Sequence, residues 1–315
     1  MISSPEDAAK RISDEYKQKK SGAVSLIEAL DGEYSRISLD YLSYGLSAQT
    51  LGKLFFLSAK RENGSMEQIK EKLCAARALI EDGSLPFDLN EFDEAVANWE
   101  STGFDALHHS TAFNESYNPS YRVISNLFVP FLALLAEIDK GLENGSLTIA
   151  IDGGSASGKT TLSELLHKIY GCTVFHIDDF FLRPEQRVPE RYGQIGGNFD
   201  RERFLDEVLI PLDKGETVKY RSFDCSNFKI SSPKEITPKK LTVIEGAYSM
   251  HPELTKYYDF SVFLDVSKDT QRERILVRST PELSERFFNE WIPLEDIYFE
   301  KTDIKNRCKM LIKIQ

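Results

Sequence analysis

The 315-residue chain predicts an α/β fold, a parallel sheet with helices on both faces, preceded by an all-α N-terminal region. Three observations predict it. From Leu147 onward, short apolar runs alternate with stretches of helical period, the pattern of strand–helix–strand units and therefore of a parallel sheet. One run, Leu147–Ile151, leads through a glycine-rich segment into a helical stripe of Leu162, Leu165, Leu166 and Ile169. Upstream, roughly the first 120 residues carry helical periodicity and few strand signals.

Within the N-terminal region, residues 5–30 read as one or two helices, with Ile12, Tyr16, Val24, Ile27 and Leu30 inward. Met66, Ile69, Leu73, Ala76 and Ile80 follow the helical period, and Gly83-Ser84-Leu85-Pro86 breaks the chain after them. Asp88 stands where an N-cap belongs, before the stripe Leu89, Phe92, Val96 and Trp99. The polar stretch Asn114 to Pro119 ends in an Asn-Pro dipeptide and marks the boundary between a helical domain, 1–118, and a second domain, 119–315. Ile124, Leu127, Phe128, Phe131, Leu135 and Ile138 then predict a helix kinked at Pro130.

In the second domain the predicted strands are Leu147–Ile151, Thr173–Ile177, Leu241–Ile244, Ser261–Leu264 and Met310–Ile314. The predicted helices between them are Thr160–Tyr170, Arg201–Leu212 and Thr270–Arg278. Ligands of such sheets sit beyond the carboxyl ends of the strands, so residues that end strands are the candidates for a site.

Composition narrows the classes. A hydrophobic content of 41% and a charged content of 28% are those of a soluble globular protein. A net charge of −11 opposes non-specific binding of nucleic acid, whose phosphates it would repel. A small anion needs only a local nest of donors and is not excluded. The N-terminus, Met1-Ile-Ser-Ser-Pro-Glu-Asp, has no basic-then-apolar signal pattern. The longest apolar stretch, Leu127 to Ala136, is about half a membrane span and contains Pro130. Cys74, Cys172, Cys225 and Cys308 lie far apart, which argues against a metal knuckle or C-x-x-C motif and for reduced thiols in a cytoplasmic protein. His108 and His109 are adjacent and would point to opposite sides of a regular element, which suits a surface or capping role better than a metal site.

The segment Gly153, Gly154, Ser155, Ala156, Ser157, Gly158, Lys159, Thr160, Thr161 holds the chemistry. Gly153, Gly158, Lys159 and Thr160 fit G-x-x-x-x-G-K-[ST], in which glycines let several N–H groups converge on one anion at a helix N-terminus. Lys159 would reach the β- and γ-phosphates of ATP, and the Thr160 hydroxyl would hold Mg²⁺. Beyond Thr173–Ile177 stand Asp178 and Asp179. One of the pair accepts the proton of an attacking hydroxyl while the other orients metal-bound water, or else one simply caps the next helix. Glu245, ending Leu241–Ile244, occupies the place of an acid near the metal's water shell. Arg274 and Arg278 share one helix face by i,i+4 spacing, either as solvated surface or as a lid bracing the transferring phosphoryl group.

Taken in order, the glycine-rich segment, Asp178-Asp179-Phe-Phe, Asn198-Phe199-Asp200, Glu245-Gly246 and the arginine helix resemble the uridine kinase family. They also resemble its relatives, the nicotinamide riboside kinases, phosphoribulokinases and pantothenate kinases. The resemblance covers about residues 145–315 and leaves the N-terminal region unmatched. It implies that Asp178 is the catalytic base, that Asp200 holds ribose hydroxyls, and that Arg274 and Arg278 belong to a lid over ATP. Uridine kinases place a base-contacting histidine where this chain has Phe228, so the acceptor pocket around Tyr220 to Lys229 departs from the pattern. Arg187 and Arg191 lie in an insertion before Asn198, and they either bind an anionic group of the acceptor or are solvated. The implied activity is transfer of the γ-phosphoryl group from ATP to a hydroxyl of a small metabolite, a nucleoside or riboside foremost. Nicotinamide riboside, pantothenate, a sugar or a sugar phosphate are alternative acceptors. A nucleotide-dependent switch is the reading from another class, and the absence of an Asn/Thr-Lys-x-Asp guanine-reading segment speaks against it.

Overall fold

The structure, a computed structural model, describes residues 4–18, 25–30, 32–61, 64–105, 109–117, 119–224 and 228–314. Val24, His108, Asn118, Cys225, Ser226 and Asn227, used in the sequence reading, lie outside the described residues. The chain divides into two compact units, Met1–Tyr41 with Leu51–Ser125 and Leu42–Thr50 with Asn126–Gln315.

The first unit is mostly helical but not all helical. Its helices include Pro5–Gln18, Met66–Glu81, Leu89–Ser101 and Thr111–Tyr117. It also has an antiparallel sheet in the order Ile27–Ala29, Tyr34–Ser38, Tyr121–Ser125. The expectation of an all-α region is thereby corrected. Ile27 pairs with Ile37 in a hairpin instead of facing inward from a helix, and Gly32, at a φ of +76°, supplies left-handed backbone of the kind such a turn takes. The helix expected from Ile124 is corrected too. Ile124 belongs to the strand Tyr121–Ser125, Pro130 sits in a short 3-10 turn, Val129–Phe131, and the helix starts only at Leu132. A proline lacking its N–H belongs at a helix start, where that donor would have no partner.

Met66–Glu81 opens with a reciprocal Ser65–Gln68 capping box, and Asp88 caps Leu89–Ser101 by accepting from Asn90 and Glu91. Their apolar stripes are not core: Ile80 alone of the first helix is buried and no residue of the second. Ion pairs link the two helices, Arg77 to Asp93 at 2.9 Å and Lys70 to Glu100 at 2.7 Å.

The second unit is built on a five-stranded parallel sheet ordered Met310–Ile314, Phe260–Val266, Leu147–Gly153, Leu241–Glu245, Thr173–His176. All five predicted strands are present. Ala150, Phe175, Ile244 and Phe263 join one buried cluster with Phe204, Val208, Tyr298 and Ile304. The alternate residues Ile149, Ile151, Val243 and Val262, also buried, point to the other face by the two-residue period of a strand. The helix Lys159–Tyr170 buries Leu162, Leu166 and Ile169.

The helix expected over 201–212 runs as Arg201–Phe204, a π turn Leu205–Leu209 and Ile210–Asp213. A second π turn, Phe287–Trp291, precedes Ile292–Thr302. Each lies just upstream of a proline, Pro211 or Pro293, whose ring would collide with a carbonyl in a regular helix. Two small antiparallel ribbons, Val218–Tyr220 with Lys234–Ile236 and Phe223–Asp224 with Lys229–Ile230, complete the unit. Among the described residues no helix is long and apolar enough to cross a membrane.

Candidate active site

Because the strands are parallel, Gly153, Glu245 and the residues after His176 emerge on one edge, with Glu245 in register with both Ile151 and His176. Gly153 makes the close approach that the loop requires. Its φ is +149°, and a Cβ there would stand 2.6 Å from the Leu264 carbonyl oxygen. The loop then turns through Gly158 into Lys159–Tyr170, whose first N–H groups have no partner within the helix. Lys159 Nζ donates to the carbonyls of Gly153 and Gly154, each at 2.9 Å. Ser157 Oγ is buried without a hydrogen-bond partner. A cradle that only glycine permits, a helix N-terminus, a lysine and an orphaned hydroxyl suit the phosphates of ATP.

Glu245 is 5% exposed and accepts from Thr160 Oγ1 at 3.2 Å and from His176 Nδ1 at 2.5 Å. The Glu245 hydrogen bond raises the His176 pKa against the opposing effect of burial. The hydroxyl–carboxylate pair of Thr160 and Glu245 is a hard-oxygen donor set of the kind Mg²⁺ or its water takes. Among the described residues no group of three or more acidic, histidine or cysteine side chains forms a denser metal site.

Asp178 and Asp179 sit in a 3-10 turn, Ile177–Phe180, directly after Thr173–His176. Asp178 is open to solvent, yet the protein packed around it raises its carboxyl above the usual range, with the Lys159 charge pulling the other way. Asp179 turns toward the Tyr220 hydroxyl, which burial and the Asp179 charge push up to about 12. Gly246 follows Glu245 at φ +147°, and a Cβ there would stand 2.5 Å from Ile177 Cβ.

The acceptor candidates divide. Asp200 is only 2% exposed and caps Arg201–Phe204 through Oδ1, accepting from the Arg203 N–H at 3.3 Å. Its Oδ2 has no hydrogen bond, with Arg203 Nε at 3.6 Å and Arg183 Nε at 3.9 Å. The Asp200 N–H donates to the Phe180 carbonyl at 2.8 Å, which ties this segment to the Asp178 turn. Tyr220 stacks on Phe180 with centroids 5.7 Å apart. A cavity of about 570 Å³ opens beside Asp200. Its arginines are Arg183, Arg191, Arg203 and Arg221, and its acids Asp200, Glu202, Asp206 and Glu207.

Arg187 does not line that cavity; it donates to the Leu182 carbonyl and stacks over Phe223 and Phe228. Phe228, 54% exposed, is thus a partner of Arg187. Arg191 makes two 2.7 Å hydrogen bonds to Glu202. Arg274 reaches the loop, donating to the Ala156 carbonyl at 3.3 Å, whereas Arg278 lies over the Phe287 ring, 5.3 Å from its centroid.

Other residues of the site carry no local motif. Asp152, fully buried, accepts from the Gly153 and Met250 N–H groups and the Tyr298 hydroxyl. Glu295 and Gln271 hold Ser155 from helices more than a hundred residues away. Tyr248, 4% exposed, has a φ of +76°, an outlier for a bulky side chain. Its hydroxyl lies beside the Asn198 side chain, and neither Tyr248 Oη nor Asn198 Oδ1 has a well-formed hydrogen bond within the protein. Position at a strand's carboxyl edge is the one signal that could have flagged Tyr248; nothing local marks Glu295.

The sequence profile of the Phosphoribulokinase / Uridine kinase family matches residues 148–286. A uridine kinase of Staphylococcus carnosus (strain TM300) is 27% identical over 176 residues, 50% of this chain and 84% of that protein. One from Staphylococcus haemolyticus (strain JCSC1435) is 28% identical over 171 residues, 49% of this chain and 82% of that protein. Among solved structures, one described as a possible uridine kinase from Bacillus stearothermophilus superposes with a TM-score of 0.42 at 23% identity, over 53% of this chain and 89% of that one. The likeness to the Phosphoribulokinase / Uridine kinase family, a family of phosphotransferases, thus rests on residues 148–286, a little under half of this chain.

Proposed function

We propose that the protein is an ATP-dependent kinase whose acceptor is a hydroxyl of a small, neutral, polar metabolite, a nucleoside or related riboside. The observation that carries this reading is the position of Asp178: a carboxylate one turn beyond a strand end, under the charge of Lys159 and joined to the Asp200 segment. Asp178 takes the proton from the acceptor hydroxyl as its oxygen forms a bond to the γ-phosphorus and the bond to the ADP oxygen breaks. Lys159 and Arg274 offset the charge that develops on the transferring group, and Thr160 with Glu245 would hold the metal. Bound Mg²⁺ supplies neutralisation of the phosphate oxygens. Catalysis is positioning and charge stabilisation, with no covalent enzyme intermediate.

The cavity beside Asp200 supports a neutral acceptor, since its four arginines are matched by four acids. The unsatisfied atoms of Asp200, Asn198 and Tyr248 favour a ligand rich in hydroxyls. The similar proteins from the two Staphylococcus species are uridine kinases, which puts uridine first among the acceptors to try. The test is ADP release from Mg·ATP in the presence of uridine, cytidine, nicotinamide riboside, pantothenate, D-ribose and ribose 5-phosphate in turn. Acceptor-dependent release with a neutral riboside is the expected result. Hydrolysis indifferent to every acceptor, or failure to bind nucleotide, overturns the proposal.

A further inference from the structure

Ser155 is the third residue of the glycine-rich loop, and three of its polar groups are held by side chains from far along the chain. Its N–H donates to Glu295 Oε2 at 2.9 Å and its hydroxyl to Glu295 Oε1 at 2.6 Å. Its carbonyl accepts from Gln271 Nε2 at 2.8 Å. Gln271 belongs to Lys268–Arg278 and Glu295 to Ile292–Thr302, so two separate helices close on one residue. The fit is tight, since a Cβ on Gly154 would stand 2.8 Å from Gln271 Nε2. Glu295 is 4% exposed, an expensive place for a carboxylate. Burial raises its carboxyl, and the charge of Lys159 and the two Ser155 hydrogen bonds oppose that rise. A buried acid kept beside an anion-binding loop calls for an explanation, because its charge alone would repel phosphate.

We propose that Glu295 is a positioning residue for phosphate binding: by accepting both hydrogen bonds that Ser155 donates, it fixes the loop in its anion-binding shape before nucleotide arrives. A loop with glycines at 153, 154 and 158 has more backbone freedom to lose than one with side chains at those positions. Ordering it on binding would weaken affinity, and a loop already held loses little. The carboxylate suits this task because it has two acceptor oxygens and no donor, matching one N–H and one O–H. Glutamine can replace only one of the two acceptors. Gln271 completes the arrangement by fixing the carbonyl side of the same residue. The inference rests on residues 153–160 being the nucleotide's phosphate site.

The test compares wild type with E295Q, E295A, S155A and the double variant E295Q/S155A. Mg·ADP affinity is measured by calorimetry, and amide hydrogen exchange of residues 154–158 is measured without nucleotide. E295Q is close to isosteric, so it remains informative if E295A fails to fold. E295Q is expected to weaken Mg·ADP binding roughly tenfold, the scale of one charge-assisted hydrogen bond. It should also speed exchange in the loop of the free protein, and the double variant should bind no more weakly than E295Q alone. Wild-type affinity and wild-type exchange in E295Q overturn the proposal, as does additive loss in the double variant, which would mean that the two residues act separately. Failure of the wild type itself to bind Mg·ADP overturns the phosphate-site reading, and this inference with it.

Discussion

Asp178 brings together an exposed carboxylate and a raised proton affinity, and both properties serve a general base only above a threshold pH. An acid whose pKa is raised stays protonated to higher pH, and a protonated carboxyl cannot accept the acceptor's proton. Turnover therefore falls as pH drops through the raised value and is intact above it. The acid limb of kcat/KM for the acceptor should lie above about 3.9, the ordinary aspartate value. Asp178→Asn should lower acceptor-dependent ADP release by about 10²-fold or more while leaving Mg·ADP affinity near wild type. Normal turnover in that variant would remove Asp178 from the role. The convergence of Asp178, Lys159, Thr160 and Glu245 was legible in the sequence because each follows or ends an apolar strand, and the edge of a parallel sheet collects such residues. Glu295 and Tyr248 were not legible. Their parts in the site come from tertiary proximity, which has no local period, spacing or turn chemistry. Arg187 was misleading for a related reason: composition cannot tell an arginine facing a cavity from one stacked on Phe223 and Phe228.

Elements were readable where one period dominates. The strand Leu147–Gly153 is buried along nearly its whole length, and the helix after the loop buries a regular stripe. The reading failed where short strands imitate helices. Ile27 and Leu30 are three apart, which fits a helix, but the turn at Gly32 and the alternating burial of Tyr34–Ser38 decide for a hairpin. Ile124 and Phe128 are four apart for no helical reason, since a strand ends between them. The Met66–Glu81 and Leu89–Ser101 helices formed as expected, but periodicity alone did not reveal that their stripes would stay largely outside the core. At this scale the loop itself is open to a direct test. Gly153→Ala places a methyl 2.6 Å from a backbone oxygen at a φ of +149°. It should cost about 1–3 kcal/mol of strain, read as a lower urea midpoint, together with loss of Mg·ADP binding in calorimetry.

Over the whole molecule, a net charge of −11 is compatible with the proposed site for a polyanion because a few donors, fixed at short range, outweigh a diffuse field. Binding there must then stabilise the fold by mass action. Mg·ADP at a hundred times its Kd should add about 2.7 kcal/mol, seen as a higher melting temperature that returns to the ligand-free value when EDTA removes the metal. No shift with saturating Mg·ADP would contradict the site. The sheet order was not derivable from the strands' own sequences, since five apolar runs say nothing about which neighbours which. The order places Leu241–Glu245 between Leu147–Gly153 and Thr173–His176, and that arrangement gives Gly246 its weight. Its missing side chain is what lets Ile177 close to within contact of the residue after Glu245. The gap between Glu245 and Asp178, the acids proposed to serve the metal and the acceptor, is therefore gauged by a single hydrogen atom. Any larger side chain there would act as a shim, driving the two halves of the reaction apart while leaving both acids in place. Gly246 is thus a position where kinase chemistry could be lost with every catalytic group still present.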